Sequence, residues 1–338
     1  MGEIDIANAF VVLANFVLIP SISYGSQLAL GALGITLVYG ILRFSNFAHG
    51  DTMAFGAMIT MLCTWWLQHQ GIHLGPLPTA LIALPIGIIA CVALLLAIDR
   101  SVYRFYRTRR AKPVILVIVS MGVMFVMNGL VRFVVGPGDQ RFADGERFVI
   151  SAREFRDLTG LQEGLAFRTS QGITILTAII VVIALFWFLN KTKTGKSMRA
   201  YSDNEDLALL SGINPNRVVT YTWILVAILA TVAGALYGLD KSFKPFTYFQ
   251  LLLPIFAAAV VGGLGNPLGA IAGGYLIAFS EVTITYAWKK VLGYLVPWWE
   301  PTGIVQFIST DYKFAISFSI LLIALLFRPT GLFRGKAY

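Results

Sequence analysis

The sequence contains little charge. Asp, Glu, Lys and Arg make up 13% of its 338 residues, while 57% of the residues are hydrophobic. Soluble domains carry about 25% charged residues, and the apolar runs here reach the roughly 20 residues that a helix needs to cross a bilayer. The composition therefore excludes a soluble globular protein and predicts an all-α, polytopic integral membrane protein.

Cysteine and histidine are also scarce, with two and three residues. Cys63 and Cys91 both fall inside apolar runs, where a disulfide framework is not expected. His69 and His73 are predicted to lie across the bilayer from His49, so no metal site is expected. The sequence also lacks an HExxH motif, a Ser/His/Asp set and a cysteine nucleophile with a base. We therefore expect neither catalytic chemistry nor a cofactor.

Ten apolar segments are candidates for membrane-spanning helices. They lie near residues 6–20, 25–42, 52–68, 77–98, 113–135, 172–190, 218–239, 250–264, 269–288 and 313–327. Because the first and the eighth are short, the sequence predicts eight to ten crossings in one transmembrane domain over residues 1–338. The first ten residues lack the basic region of a secretory signal, so no removed signal peptide is expected.

The charged loops give an orientation. Residues 99–112 hold six basic residues and one acid, and 190–217 hold five basic residues and three acids. Cytoplasmic loops are enriched in Lys and Arg, so both loops are predicted to be cytoplasmic, and the net charge of +9 needs no nucleic acid to explain it. The long, Arg-rich loop 136–171 has five Arg and six acids and is predicted to lie outside. Ten alternating crossings would then place the N-terminus inside.

The loop over residues 192–218 contains TGKS at 194–197, which resembles part of a nucleotide-binding motif. A phosphate-binding loop needs a Gly, four further residues and then Gly-Lys-Ser or Gly-Lys-Thr, all after a strand. This sequence has Asn190 after an apolar span, which argues against a nucleotide site. The same loop contains a candidate amphipathic helix, capped by Ser202 or Asp203 and ended by Gly212. Its apolar positions are Leu207, Leu210 and Ile213. A solvated helix and a helix that docks onto a soluble partner are both compatible with this pattern.

Two polar or Gly-rich breaks interrupt the apolar segments on the predicted cytoplasmic side: RFSNFAHGDTMAFGA at 43–57 and GGLGNPLG at 262–269. Irregular backbone at membrane depth is tolerated where it is buried in protein or lines a cavity. Residues at these breaks and in nearby spans are candidates for the translocation path or its gate: Asn46, His49, Asn128, Gly262, Gly263, Gly265 and Glu281. Helix capping and interhelical hydrogen bonding are the alternative roles, especially for Asn46 and for Asp51. The GxxxG patterns at 234–238 and 269–273 predict close helix packing.

Three segments together resemble a known family. They are NFAHG at 46–50, with GITLVYGIL before it and MAFGA after it; the loop TGKSMRAYSDNEDLALLSGINPNRV at 194–218; and FAAAVVGGLGNPLGAIAGGYLIAFSE at 256–281. In this order and spacing the chain resembles the permease subunits of branched-chain amino acid ABC importers. The resemblance runs from about residue 25 to Gly331 and is closest to the shorter of the two paired permeases.

The resemblance implies an ABC-importer permease fold with broken helices, located in the bacterial inner membrane. It implies a second homologous permease, two cytoplasmic ATP-binding subunits that hydrolyse ATP, and a periplasmic solute-binding protein as partners. It also implies that the loop over about 191–217 carries the ATPase-coupling helix, with these matching positions: Gly195, Arg199, Ala200, Leu207, Leu210, Gly212 and Ile213. The outside loop 136–171 and the stretch 298–301 depart from a typical member, on the side where a binding protein would dock.

Two other functions stay open from the sequence. A permease for another small polar solute, such as urea or an amide, would show the same sparse polar lining. A stand-alone secondary carrier or channel would place ionisable groups near the bilayer midplane. We expect charges at the ends of the spans, with only Glu281 approaching a span interior, and this disfavours ion coupling.

Overall fold

The fold is described by a computed structural model that covers residues 5–142, 145–296, 298, 303–328 and 330–333. The helices in these residues are α1 (Ile6–Leu13), α2 (Ile19–Leu42), α3 (His49–His69), α4 (Ala80–Ile98), α5 (Arg104–Thr108), α6 (Pro113–Val135), α7 (Ala152–Thr159), α8 (Thr169–Lys191), α9 (Lys193–Asp203), α10 (Glu205–Leu210), α11 (Pro215–Asp240), α12 (Pro245–Gly262), α13 (Pro267–Thr285), α14 (Lys289–Leu295) and α15 (Lys313–Phe327). Two short strands, β1 (Phe148–Ile150) and β2 (Phe167–Arg168), pair antiparallel.

Eight helical runs in the described residues are long and apolar enough to cross a membrane. They are Ile6–Leu42, Ala80–Thr108, Pro113–Val135, Thr169–Lys191, Pro215–Asp240, Pro245–Gly262, Pro267–Thr285 and Thr310–Phe327. Helix α3 has 21 residues but is more polar, and it packs against α4 and α11 inside the bundle. The prediction of an all-α polytopic membrane protein with eight to ten crossings is confirmed.

The prediction of two separate spans near 6–20 and 25–42 is wrong. A π-helical turn, Ala14–Leu18, joins α1 to α2, so Ile6–Leu42 is one continuous helical run. Pro20 lies in the first turn of α2, where its missing N–H is tolerated next to the altered hydrogen-bond pattern of a π-turn. Among the polar residues after it, Ser26 bonds within the helix, its Oγ donating to the Ile22 carbonyl at 2.8 Å. The run of Pro, Ser and Gly therefore does not break the helix.

The N-terminal segment lies beside α14 and the loop that follows α7. The Asp5 N–H donates to the Tyr294 carbonyl, 3.1 Å away, and the Glu163 N–H donates to Asn8 Oδ1, 2.8 Å away. The start of α1 therefore lies at the same end of the bundle as the loop after α7 and as α14. Ten alternating crossings predict an N-terminus on the side opposite the 136–171 loop, and the continuous helix removes one of those crossings.

The centre of the bundle is α2, in which nearly every residue from Ser21 to Leu42 is buried. Helices α8, α11, α12 and α13 pack around it. Small residues allow this close packing: a β-carbon at Gly31 would lie 2.9 Å from Ile255, and one at Gly274 would lie 2.7 Å from the Ala29 backbone. Outer helices α6 and α8 instead expose apolar side chains, including Phe125 at 70% and Ile183 at 64%. These faces are suited to lipid or to another membrane subunit.

The predicted GxxxG contacts are confirmed. A β-carbon at Gly234 would overlap the Met53 carbonyl of α3, and one at Gly273 would overlap the Ala258 carbonyl of α12. Gly262 and Gly269 face each other with equally close backbones. These glycines allow helix backbones to approach to a distance that a side chain would prevent.

The long 136–171 loop has structure of its own. It contains the β1–β2 pair and α7, which starts with a capping box between Ser151 and Glu154. Gln140 also forms an isolated bridge with Phe243. Of the second predicted departure, 298–301, only Trp298 belongs to the described residues, and its side chain is exposed.

Candidate functional site

Helix α9 replaces most of the predicted loop before residue 204. Thr192 caps it, and its Oγ1 accepts from the Gly195 N–H at 3.0 Å. A β-carbon at Gly195 would overlap the Phe188 carbonyl of α8, so the glycine fits α9 closely against the end of α8. The TGKS residues therefore lie in an α-helix rather than in a loop that could surround a phosphate.

Helix α10 begins at a different residue from the predicted cap. Asn204, with φ −152° and ψ 110°, separates α9 from α10, and its Oδ1 accepts from the Leu207 N–H at 3.0 Å. Ser202 and Asp203 belong to α9, so the prediction that one of them caps the amphipathic helix is wrong. The extended backbone at Asn204 allows its short amide side chain to reach the free N–H groups of α10. Gly212 follows α10 with φ +79°, as expected for a residue that ends a helix.

The predicted coupling positions do not share one face. Leu207 and Leu210 are 61% and 85% exposed, whereas Ile213 packs against the hydrophobic core. Arg199, Ala200 and Gly212 are exposed, and Gly195 is buried against α8. Leu209 is 43% exposed as well, so three leucines form a small exposed apolar surface on the six-residue helix α10.

A side-chain contact joins α9 to α10. The Tyr201 hydroxyl donates to Glu205 Oε1 across 2.6 Å, bridging the break at Asn204. Burial of Tyr201 and this hydrogen bond to the Glu205 carboxylate raise the pKa of Tyr201 above its ordinary value. The two short helices are therefore mechanically linked although the backbone is extended between them.

The first polar break lies between α2 and α3, over residues 43–48. Arg43 ends α2 in the left-handed region, with φ 60° and ψ 28°, and its Nη2 donates to the Ser202 carbonyl at 3.0 Å. Asn46 Oδ1 accepts from the Ala48 N–H at 3.1 Å and from the Tyr103 hydroxyl at 3.3 Å. Asn46 therefore forms a turn that precedes α3 and bonds a residue of another helical segment, whereas Ala48 is the N-cap of α3 and no side-chain hydrogen bond among the described residues caps that helix.

His49 begins α3 within the bundle and is fully buried. Its imidazole fills the space beside Gly34 of α2, where a β-carbon would overlap the ring. A β-carbon at the following Gly50 would lie 2.6 Å from the Tyr248 carbonyl of α12. The histidine and the glycine of the NFAHG motif therefore pack the start of α3 against two other helices.

The structure buries an acid that was expected at a span end. Asp51 is 1% exposed, and its Oδ1 accepts from Asn128 Nδ2 at 2.7 Å, linking α3 to α6. The expectation that only Glu281 approaches a span interior is therefore wrong, because α3 starts earlier than predicted and carries Asp51 inside with it. Glu281 is buried as well, and its Oε1 accepts from the Ser317 hydroxyl of α15.

The Gly-rich turn connects α12 to α13. Gly263 and Gly265 have φ values of +112° and +82°, which residues with a β-carbon rarely adopt. Asn266 caps α13 by accepting from the Leu268 N–H at 3.1 Å and from the Gly269 N–H at 3.2 Å. The Leu332 N–H donates to the Val261 carbonyl at 2.8 Å, so the segment after α15 holds the turn in place.

The structure brings two of the predicted groups together. A cavity of about 440 Å³ lies between α2, α8, α9 and the Gly-rich turn. Its lining includes Ile41, Leu189, Met198, Ser202, Gly265 and Asn266. The coupling segment and the turn are therefore neighbours, whereas Glu281 contacts α15 and Asn128 contacts α3 at other places in the bundle.

One polar cluster was missed from the sequence. Asp99 Oδ1 accepts from Trp223 Nε1 at 2.8 Å and from Arg107 Nη1 at 2.8 Å, and the Tyr103 ring stacks on Trp223 at 5.2 Å. The sequence feature that points to this cluster is that Asp99 is the single acid of the basic stretch 99–112. This cluster ties the basic stretch to α11, and α11 starts just after α10.

The helices define a multi-pass membrane protein, and comparison with known proteins identifies its family. Residues 17–325 match the family described as branched-chain amino acid transport system / permease component. The probable branched-chain amino acid transport permease protein LivH of Methanocaldococcus jannaschii is 30% identical over 321 residues, which cover 94% of this chain and 92% of the relative. The high-affinity branched-chain amino acid transport system permease protein LivH of Salmonella typhimurium is 28% identical over 317 residues, which cover 92% of each chain.

A solved structure of PsaBC from Streptococcus pneumoniae in complex with Fab aligns over 96% of this chain and 97% of that chain, with a TM-score of 0.47 and 13% identity. The family assignment follows from the match over residues 17–325 alone. The chain belongs to the family of permease components of branched-chain amino acid transport systems. The resemblance of the three sequence segments to this family is confirmed.

Proposed function

We propose that this chain is a permease subunit of an ATP-driven importer for branched-chain or other hydrophobic amino acids in the bacterial inner membrane. It forms the solute path with a second homologous permease, and two cytoplasmic subunits hydrolyse the ATP. A periplasmic solute-binding protein delivers the solute. The family supports the transport role, and the exposed Leu207 and Leu210 of α10 support docking of a soluble partner.

The orientation of the chain follows from its basic loops. The Asp99–Trp223 contact joins the basic stretch 99–112 to the first half of α11, which starts just after α10, so this stretch lies at the same end of the bundle as α9 and α10. Each of its six basic residues would cost about 2.5–3.5 kcal/mol at the centre of a membrane helix, so the stretch lies outside the lipid. The enrichment of Lys and Arg in cytoplasmic loops favours the cytoplasmic side. The ATPase subunits would then dock at α10, and the N-terminal segment, β1–β2, α7 and α14 would face the solute-binding protein.

We assign the candidate path residues by their contacts. Asn46, Asn128 and Glu281 each make a hydrogen bond inside the subunit, which supports a role in shaping the helices around the path. His49 supports the start of α3 against α2. Gly262, Gly263 and Gly265 shape the turn next to the coupling segment, where they support a gate on the cytoplasmic side.

Reconstitution tests this function directly. The chain is assembled in proteoliposomes with its second permease, its ATPase subunits and its binding protein, and uptake of radiolabelled leucine is measured. We expect uptake to require both ATP and the binding protein, with isoleucine and valine competing and urea not competing. Uptake by this chain alone, driven by an ion gradient, would instead identify a secondary carrier.

A further inference from the structure

We propose that Arg43 is a positioning residue that transmits movement of the ATPase-docking helix α10 to the broken segment before α3. The inference rests on the proposed function, because it requires ATPase subunits that move α10. The hydrogen bond from the Arg43 guanidinium to the Ser202 carbonyl connects the coupling segment to the residues that lead into α3.

The first step of the connection lies within the coupling segment. Leu207 and Leu210 are exposed on α10, where a partner would press on them. Tyr201 of α9 holds Glu205 of α10 through a 2.6 Å hydrogen bond, and the Tyr201 side chain itself is buried. A displacement of α10 should therefore also move the last turn of α9, because this hydrogen bond limits how far α10 can move about the extended residue Asn204.

The second step crosses from α9 to α2. Ser202 follows Tyr201 directly, and its carbonyl accepts from Arg43 Nη2 at 3.0 Å. A backbone carbonyl moves with the helix that carries it. The position of the acceptor therefore depends on the position of α9 and not on a side-chain rotamer. A guanidinium presents several donors in a rigid plane, which suits it to hold a carbonyl at a defined position.

The third step is the break itself. Arg43 occupies the left-handed region, a conformation that costs a residue with a β-carbon free energy and that the surrounding contacts must stabilise. Phe44, which follows it, packs against the Tyr103 ring at 5.5 Å, and Asn46 bonds the Tyr103 hydroxyl. A movement of Arg43 therefore acts on the residues that lead into His49 and α3.

The packing around this bond leaves room for movement. The cavity of about 440 Å³ lies beside it, lined by Ile41 of α2 and Met198 of α9. A β-carbon at Gly40 would lie 3.4 Å from Ser202 Oγ, an ordinary van der Waals distance. Helix α9 thus approaches α2 next to an open space, and Ser202, whose carbonyl accepts the Arg43 bond, lines that space.

Three substitutions test the proposal in the complete reconstituted complex. Arg43→Asn removes the guanidinium but favours the same left-handed backbone, Arg43→Lys keeps the charge, and Tyr201→Phe removes the bond to Glu205. Arg110→Asn is the matched control, because Arg110 is also a left-handed arginine, with φ 51°, and is exposed on the same side. For each variant we measure assembly by pull-down, ATP hydrolysis, and leucine taken up per ATP hydrolysed.

We expect Arg43→Asn to assemble and to hydrolyse ATP, with uptake per ATP reduced roughly tenfold, within the range of measured coupling between sites. The uptake per ATP of Arg43→Lys should lie between those of Arg43→Asn and the wild type, and that of Arg110→Asn should equal the wild-type value. The double variant Arg43→Asn/Tyr201→Phe should show no further loss, because both changes interrupt one connection. Losses that multiply in the double variant, or unchanged uptake per ATP in Arg43→Asn, would overturn the proposal.

If Arg43→Asn does not assemble, Arg43→Lys and Tyr201→Phe decide the question, and normal coupling in both would overturn the proposal. A wild-type complex that does not take up leucine would instead contradict the proposed function. The two failures are therefore distinguishable.

Discussion

Trp223 of α11 donates its indole N–H to the carboxylate of Asp99 across 2.8 Å, joining residues 124 positions apart in the sequence. Arg107 holds the same carboxylate with two hydrogen bonds, of 2.8 Å and 3.3 Å. Asp99 is buried to 8% exposure. Its carboxylate therefore neutralises one arginine of the basic stretch and fixes the end of α4 to α11 at the same time.

Removing this carboxylate is expected to destabilise the protein. Asp99→Ala leaves the buried indole N–H and the Arg107 guanidinium unpaired, which costs about 3 kcal/mol of unfolding free energy. Asp99→Asn keeps an acceptor for Trp223 and loses only the charge, so a smaller loss is expected. Thermal unfolding in detergent measures both, and Ser101→Ala, at an exposed neighbouring position, is the control. Equal melting temperatures for Asp99→Ala and the control would contradict this role.

Two glycines of α2 should respond differently to the same substitution. A β-carbon at Gly34 would overlap the His49 imidazole, whereas one at Gly40 would lie 3.4 Å from Ser202 Oγ. Gly34→Ala should therefore cost about 1–3 kcal/mol, as overpacking of a core does. Gly40→Ala should be neutral or slightly stabilising, because alanine favours helix more than glycine by roughly 0.5–1 kcal/mol.

The compensating variant identifies the cause. Gly34→Ala combined with His49→Ala removes the overlapping ring, so the pair should be more stable than the sum of the two single changes predicts. Thermal unfolding of the four proteins gives this coupling energy. Strictly additive effects would show that the Gly34 position is constrained by something other than the His49 ring.

The sequence was sufficient for the class of protein and for its family because both depend on local signals. Long apolar runs and a low charge predict membrane helices wherever they occur, and NFAHG and GGLGNPLG can be recognised without knowing what they touch. Of the two alternative roles expected for Asn46, the bond to Tyr103 supports interhelical hydrogen bonding, whereas its bond to the Ala48 N–H forms a turn before α3 and does not cap it.

The predictions that failed depend on contacts distant in sequence or on a choice between neighbouring residues. The π-turn at Ala14–Leu18 keeps Ile6–Leu42 continuous through a Pro-Ser-Gly segment that reads as a break. Asn204 caps α10 in place of Ser202 because the backbone is extended at Asn204, and backbone conformation at one residue is not visible in composition. The partner of Asp99 is Trp223, which no short-range pattern indicates.

Lowering the pH should destabilise the contact between α14 and Glu163, which lies in the loop after α7. Glu163 accepts from Lys290 Nζ at 2.8 Å and from the Tyr294 hydroxyl at 2.6 Å. Burial raises the pKa of Glu163, but the hydrogen bonds from Lys290 and Tyr294 outweigh burial and leave that pKa below its ordinary value of 4.5. A carboxyl whose pKa is lower in the folded state than in the unfolded state stabilises the folded protein at pH values above its unfolded pKa. This contribution is lost as the pH falls through the folded-state pKa.

The contact between α14 and the loop after α7 should therefore loosen below a pH of about 4.5, the ordinary pKa of the carboxyl. Amide hydrogen exchange of α14 at pH 6 and pH 3.5, corrected for intrinsic exchange rates, measures this loosening. Glu163→Gln should already exchange faster at pH 6 and should show little further change on acidification. An unchanged pH response in Glu163→Gln would assign the effect to another group.

The exposed leucines of α10 provide the sharpest test of the docking surface. Leu207 and Leu210 are 61% and 85% exposed, whereas Ile213 packs against the core, so Leu207→Asp/Leu210→Asp changes the surface and leaves the core intact. Burying two such side chains against a partner is worth about 1.5–3 kcal/mol each, and two aspartates would also have to be desolvated. We expect at least a hundredfold loss of affinity for the ATPase subunits, since about 2.7 kcal/mol corresponds to a hundredfold change.

Pull-down and titration of the ATPase subunits measure this loss. Leu158→Asp is the control, because Leu158 is 83% exposed on α7, at the opposite end of the bundle. The thermal unfolding of both variants should match the wild type, since none of the three replaced side chains is buried in the subunit. Retained ATPase binding by Leu207→Asp/Leu210→Asp would move the docking surface away from α10. It would also remove the starting point of the connection through Tyr201 and Arg43.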